Sequence, residues 1–211
     1  LETLVDYYDL FSANWIRDAS GEVIAIDRRY INSGGSLMRG IEIDGNVMGE
    51  LAGGSWRLNL NGSYINTFKT KALEALPYTE SLVGDYVRYY NLPIKWKHTL
   101  NFVWQKGDWA HTFSQIYRDG YNDELPISVR NGSYIPENWN PRVSNYTTYN
   151  YSLAYSGFDN MKLTFGVKNL TDEDPPFTAH MNDYAAGAGW ETRIADPRGR
   201  AYSLLVEYKF R

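Results

Sequence analysis

Three observations predict an all-β fold in which antiparallel strands form part of a transmembrane barrel wall. Strand-like stretches alternate apolar and polar residues with a period of two. Short and long connections alternate between them. Large aromatics gather at both ends of the strands, with Leu, Ile, Val and Phe in between. Short turns on one side, long loops on the other and two aromatic belts are the pattern of an outer-membrane barrel. Alternation alone fits a soluble sandwich as well, but loops of this length are uncommon in compact soluble domains.

Composition agrees. The 211 residues suffice for one domain with a large core. A net charge of −4 and a pI near 5.4 give no basic surface for nucleic acid. No apolar run approaches the roughly 20 residues of a membrane helix. The mean hydropathy of −0.49 is compatible with spanning strands, whose every second residue is polar. The 18 Tyr, 7 Trp, 8 Phe and 18 Gly suit strands joined by many turns. There is no Cys, so neither a disulfide nor a thiolate metal site is expected. The chain opens without Met in a strand-like stretch and without a signal-peptide pattern; we expect a piece of a longer protein.

Taken in order, Leu4 to Ile16 reads as a strand rich in aromatics, followed by a polar connection, Asp18 to Gly35. Ser36 to Val47 alternates, with Ile41, Ile43 and Val47 against Glu42, Asp44 and Asn46. A tight turn around Glu50 to Gly53 leads to Trp56 to Phe68, where Trp56, Leu58, Leu60 and Tyr64 oppose Arg57, Asn59, Asn61 and Ser63. After the long connection Lys69 to Pro93, Lys95 to Trp104 and Trp109 to Tyr117 form a hairpin. Asp119 to Thr147 is a second long connection, with three prolines. Tyr149 to Tyr155 and Met161 to Lys168 flank a turn at Gly157 to Asn160, and Tyr202 to Phe210 closes the chain. That makes eight strands. Pairing Trp104 with Trp109 places the apolar residues of both strands on one face, as does pairing Val47 with Trp56. His98 opposite Gln115 is the one polar pair on the apolar side.

The closing stretch resembles a known family. Gly166-Val167-Lys168-Asn169-Leu170-Thr171-Asp172 is similar to the G-V-x-N-L-x-D motif of TonB-dependent outer-membrane receptors. Asp196-Pro197-Arg198-Gly199-Arg200-Ala201-Tyr202 and Glu207-Tyr208-Lys209-Phe210 resemble that family's last loop and strand. Asn32-Ser33-Gly34-Gly35 followed by Arg39-Gly40-Ile41-Glu42-Ile43 resembles its N-x-G…G-x-E strand start. The resemblance implies a 22-stranded barrel filled by an N-terminal plug, with residues 1–211 supplying about the last eight strands. It also implies a bacterial outer-membrane location, contact with outer-membrane lipid, coupling to the TonB complex through a missing N-terminal part, and uptake of a scarce nutrient of the iron–siderophore or oligosaccharide class.

Glu42, Asp44, Arg57, Asn59 and Glu207 would then face the lumen and meet water or the plug. In the long loops, Tyr86, Tyr89 and Tyr90, then Trp139, then Trp190 offer rings that either stack on a ligand or pack the loops together. Arg130, with Arg88, Arg142 and Arg193, offers a grip for an anion. Asp172-Glu173-Asp174 reads as a polar turn before Pro175-Pro176 rather than a Ca²⁺ loop. His98, His111 and His180 form no metal or triad motif. No catalytic residue, metal or cofactor is expected, and an enzyme would need a nucleophile beside His180 at the rim. A stand-alone eight-stranded barrel, acting as adhesin or anchor, is the alternative; it requires Leu4–Ile16 to pair with Tyr202–Phe210.

Overall fold

The computed structural model describes residues 5, 7–29, 34–88, 92–135, 137, 140–180 and 189–210. Leu4, Asn32, Ser33, Tyr89, Tyr90, Trp139 and Tyr184 lie outside these residues. The chain divides into two units, Leu1–Leu37 with Lys69–Glu80, and Met38–Phe68 with Ser81–Arg211.

In the first unit the predicted opening strand is mostly a 3-10 helix, Tyr8–Asn14. Tyr8, Phe11 and Trp15 recur at three and four residues, a helical spacing rather than a period of two. Phe11 is buried, and the Tyr8 and Trp15 rings lie 5.6 Å apart. Only Trp15–Arg17 (β1) is extended, and it pairs with Val23–Ile26 (β2). Asp18 caps the turn between them, accepting from the Ser20 hydroxyl and from the Ser20 and Glu22 amides at 2.6–3.0 Å.

The other seven predicted strands join one antiparallel sheet. They are Gly35–Leu51 (β3), Gly54–Lys71 (β4), Trp96–Lys106 (β5) and Trp109–Arg118 (β6). After the short pair Tyr121–Asn122 (β7) and Arg142–Val143 (β8) come Tyr146–Phe158 (β9), Met161–Lys168 (β10) and Ala201–Tyr208 (β11). The order is β11-β10-β9-β6-β5-β4-β3. Among the described residues β11 pairs with β10 and with no other strand.

Faces fall as the period of two predicts, but both tested registers slide by two residues. Lys106 pairs with Trp109, and Trp104 with His111. The turn has shrunk to Gly107-Asp108, with Gly107 at φ 55°, the left-handed value a two-residue hairpin needs. In β3–β4 the turn is Ala52-Gly53, at φ 53° and 73°. Asn61 donates to Asp44 at 3.0 Å, where alternation had paired Asp44 with Asn59. A slip of two keeps every side chain on its face, so face burial alone does not distinguish these registers.

On the apolar face, Leu204 is 70%, Val206 53% and Phe165 42% exposed, while Leu163 is half-buried. No second protein layer covers them among the described residues. The polar pair on this face is explained by a relay. The Trp96 indole N–H donates to His98 Nδ1 at 2.9 Å. His98 Nε2 therefore carries the proton and donates to Gln115 Oε1 at 3.2 Å. The Gln115 amide donates to the Tyr149 hydroxyl at 3.2 Å. The three links satisfy one another near the long-loop end, where an amphipathic ring sits best. At the short-turn end the Trp104 indole donates to the Leu51 carbonyl at 3.0 Å.

Candidate functional site

In the second unit, three stretches of connecting chain converge: residues 81–88 and 92–95, residues 119–135 and 140–145, and residues 169–180 and 189–200. Ile94, Tyr121, Val143, Tyr146, Ile194 and Ala195 form their buried core, with Tyr86 and Leu92 packed against it. Backbone bonds tie the first two stretches, since the Tyr86 N–H donates to the Asn122 carbonyl at 2.8 Å and the Asn122 N–H to Gly84 at 2.7 Å.

A buried charged clamp joins all three. His180 and its neighbours Asp123 and Glu191 have side chains 0%, 4% and 5% exposed. His180 Nδ1 lies 3.1 Å from Asp123 Oδ1. Its Nε2 lies 3.4 Å from Glu191 Oε2, an ion-pair distance without hydrogen-bond alignment. Asp123 also accepts from the Thr178 hydroxyl at 2.7 Å and the Ala179 amide at 2.6 Å. The Tyr86 ring stacks on His180 at 4.1 Å, with the Arg193 guanidinium 5.3 Å from its centre. Arg193 donates to Glu191 Oε2 at 2.7 Å and to the Val87 carbonyl at 2.8 Å. Buried charges persist only when paired and hydrogen-bonded in this way. Burial would push the His180 imidazole down, but the two carboxylates outweigh it and raise it to about 9. Burial acts upward on Asp123 and Glu191, yet the imidazole beside both, with hydrogen bonds from Thr178 to Asp123 and from Arg193 to Glu191, holds both below the usual carboxylate range.

This geometry suits a clamp. Asp123 and Thr178 both approach the Nδ1 side of the ring, and no His180 surface is open to a substrate.

The G-V-x-N-L-x-D stretch has an equally physical role. Asn169, at φ 52° and buried, donates its amide to the Glu173 carbonyl at 2.9 Å and accepts from the Glu173 N–H at 3.0 Å. Asp172 accepts from the Arg200 N–H at 2.7 Å, joining the two ends of the last loop. Asp196 pairs with Arg198 and Lys168. The acidic run is thus a turn lock, with Asp172 engaged by protein. Asn169→Ala removes both side-chain bonds and leaves Ala in a left-handed conformation, for an expected loss of about 2–4 kcal/mol. Denaturant midpoints of the detergent-folded protein measure it, with Asn169→Gly recovering the backbone share.

Of the residues expected to bind ligand, Tyr86 serves the clamp. Arg130 meets Glu124 at 3.7 Å and is half exposed. Trp190 is half-buried with its indole N–H unpartnered. Tyr89, Tyr90 and Trp139 fall outside the described residues. On the polar face, Glu42 and Arg57 are exposed, Asp44 bonds Asn61, Asn59 donates to the Gly45 carbonyl at 3.2 Å, and Glu207 meets Lys162 at 3.4 Å. Sequence reasoning found no partner for His180, and Asp123, Thr178 and Glu191 carried no signal. Only the exclusion of His180 from every motif marked it as worth explaining.

Residues 5–170 match the family described as TonB dependent receptor-like, beta-barrel. No curated protein and no solved structure matches the chain.

Proposed function

The chain belongs to the TonB-dependent receptor β-barrel family, and from that premise we propose that it supplies the C-terminal wall of a receptor that imports a scarce iron–siderophore or oligosaccharide. Such receptors are outer-membrane transporters rather than enzymes. The plug and the segment that contacts TonB would come from chain upstream of these residues.

The observation that carries the reading is the sheet's two-sidedness. An apolar face runs along the seven-stranded sheet, with Ile41, Phe113, Phe165, Leu204 and Val206 exposed on it, and the other face is mostly polar; exposed apolar surface of this kind marks contact with lipid or a partner. The first belongs against lipid. The second, with Glu42, Asp44, Arg57, Asn59 and Glu207, belongs on the lumen and against the plug. β4, at 18 residues, spans roughly 55–60 Å, more than a hydrocarbon core of about 30 Å requires. The β3–β4 hairpin would therefore project beyond the membrane. The clamped loops above the polar face would frame the ligand's approach.

The test is uptake. A strain lacking this protein should lose import of either a labelled ferric siderophore or a labelled oligosaccharide. Loss of TonB should abolish the same import to the same extent. Unchanged import of both substrate classes would reject the proposal.

A further inference from the structure

The polar face carries a row of side chains at one level: Ser63 on β4, Lys97 on β5, Arg118 on β6 and Tyr146 on β9, each directly across from the next. Two cations at directly opposed positions repel one another. Among the described residues neither has a carboxylate within ion-pair distance. Two acidic residues near this row are engaged elsewhere. Asp119 caps the Gly120 amide at 2.9 Å and faces Arg142 at 3.8 Å. Asp196 is taken by Arg198 and Lys168.

Lys97, Arg118, Ile65, Leu92, Ile94 and Ile194 line a cavity of about 340 Å³. Arg193 also borders it, already paired with Glu191. No acidic side chain lines it among the described residues. Arg118 also lines a second cavity, of about 260 Å³, where Asp196 is present with its partner Lys168. Arg118 is half-buried, so water screens it only in part. A concave site with an apolar wall and a few converging polar groups is the usual form of a small-molecule pocket.

We propose that Lys97 and Arg118 together hold the anionic oxygens of a small solute, whose apolar part lies against the four aliphatic residues. The Arg118 fork takes two oxygens side by side, and the Lys97 ammonium supplies a point charge that follows the anion's position. The inference rests on the polar face being the inner wall of the transporter, and it narrows the ligand to one that bears negative charge. A neutral oligosaccharide would leave the opposed cations uncompensated.

The test uses the natural protein, purified in detergent from outer membranes, with benzoate as probe and benzamide as its neutral isostere. Calorimetric titration should show saturable benzoate binding, weakened at least tenfold in the Lys97→Gln/Arg118→Gln variant and by raised salt. Lys97→Arg should stay within threefold of the original, and benzamide should bind at least tenfold more weakly than benzoate. The double variant should melt no lower than the parent, because it removes a repulsion. Equal benzoate affinity in parent and double variant, absence of saturable binding in the parent, or a clear drop in melting temperature would overturn the proposal. Failure of the underlying membrane reading has a different signature, a protein that stays monomeric in water without detergent.

Discussion

His180→Ala is expected to unfasten the loop cluster while leaving the sheet intact. It strips Asp123 and Glu191 of their shared partner and leaves two carboxylates, 4% and 5% exposed, facing a void. Breaking a buried charged pair by deleting one member typically costs about 3–5 kcal/mol, because the remaining charge stays desolvated. The Tyr86 ring also loses the surface it stacks on. The loss should appear as faster proteolysis and hydrogen exchange across residues 81–95, 119–145 and 169–200, with strand circular dichroism unchanged. His180→Gln, which keeps volume and one donor, should lie in between. Unaltered loop protection in His180→Ala would show that the apolar core of Ile94, Tyr121, Val143 and Ile194 suffices alone.

The clamp carries its own pH signature. The imidazole is raised from 6.5 to about 9, so its contribution is complete below pH 6.5 and drains away as pH rises toward 9. The carboxylates are depressed, Glu191 from an ordinary value of 4.5, so their contribution is complete above that value and declines in strong acid. Loop protection should therefore be greatest between about pH 4.5 and 6.5 and fall on the alkaline side, and His180→Ala should flatten that alkaline limb.

Leu204→Lys separates lipid from water as the surroundings of the apolar face. The side chain is 70% exposed, so in water a lysine there would change stability by no more than about 0.5 kcal/mol. In a bilayer, midway along β11 between Tyr202 and Tyr208, it should cost about 2–4 kcal/mol. Ser203→Lys, one residue away on the polar face, is the matched control and should be nearly neutral. Urea unfolding of liposome-inserted protein, followed by tryptophan fluorescence, reads both. Equal effects at the two positions would remove the lipid assignment.

The sequence was most legible where structure is local. Alternation assigned Leu163, Phe165, Leu204 and Val206 to one face and Lys162, Glu207, Asp44 and Arg57 to the other, and the structure keeps that division. It misled at Tyr8–Asn14, where clustered aromatics resembled a strand but were spaced for a helical turn. It also misplaced the hairpin registers, since a slip of two residues preserves every face. There the turn decided, through the positive φ of Ala52, Gly53 and Gly107.

What the residue pattern determined unaided is therefore the two-sided ribbon and its succession of short turns and long loops, because a strand's side-chain period is a property of the backbone at each position. What tertiary structure alone decided is the knot above it. His180 meets Asp123 across 57 residues of chain, and Lys97 meets Arg118 only once β5 and β6 have chosen their register. Such meetings depend on how long loops close and how strands slide, and no local period encodes either.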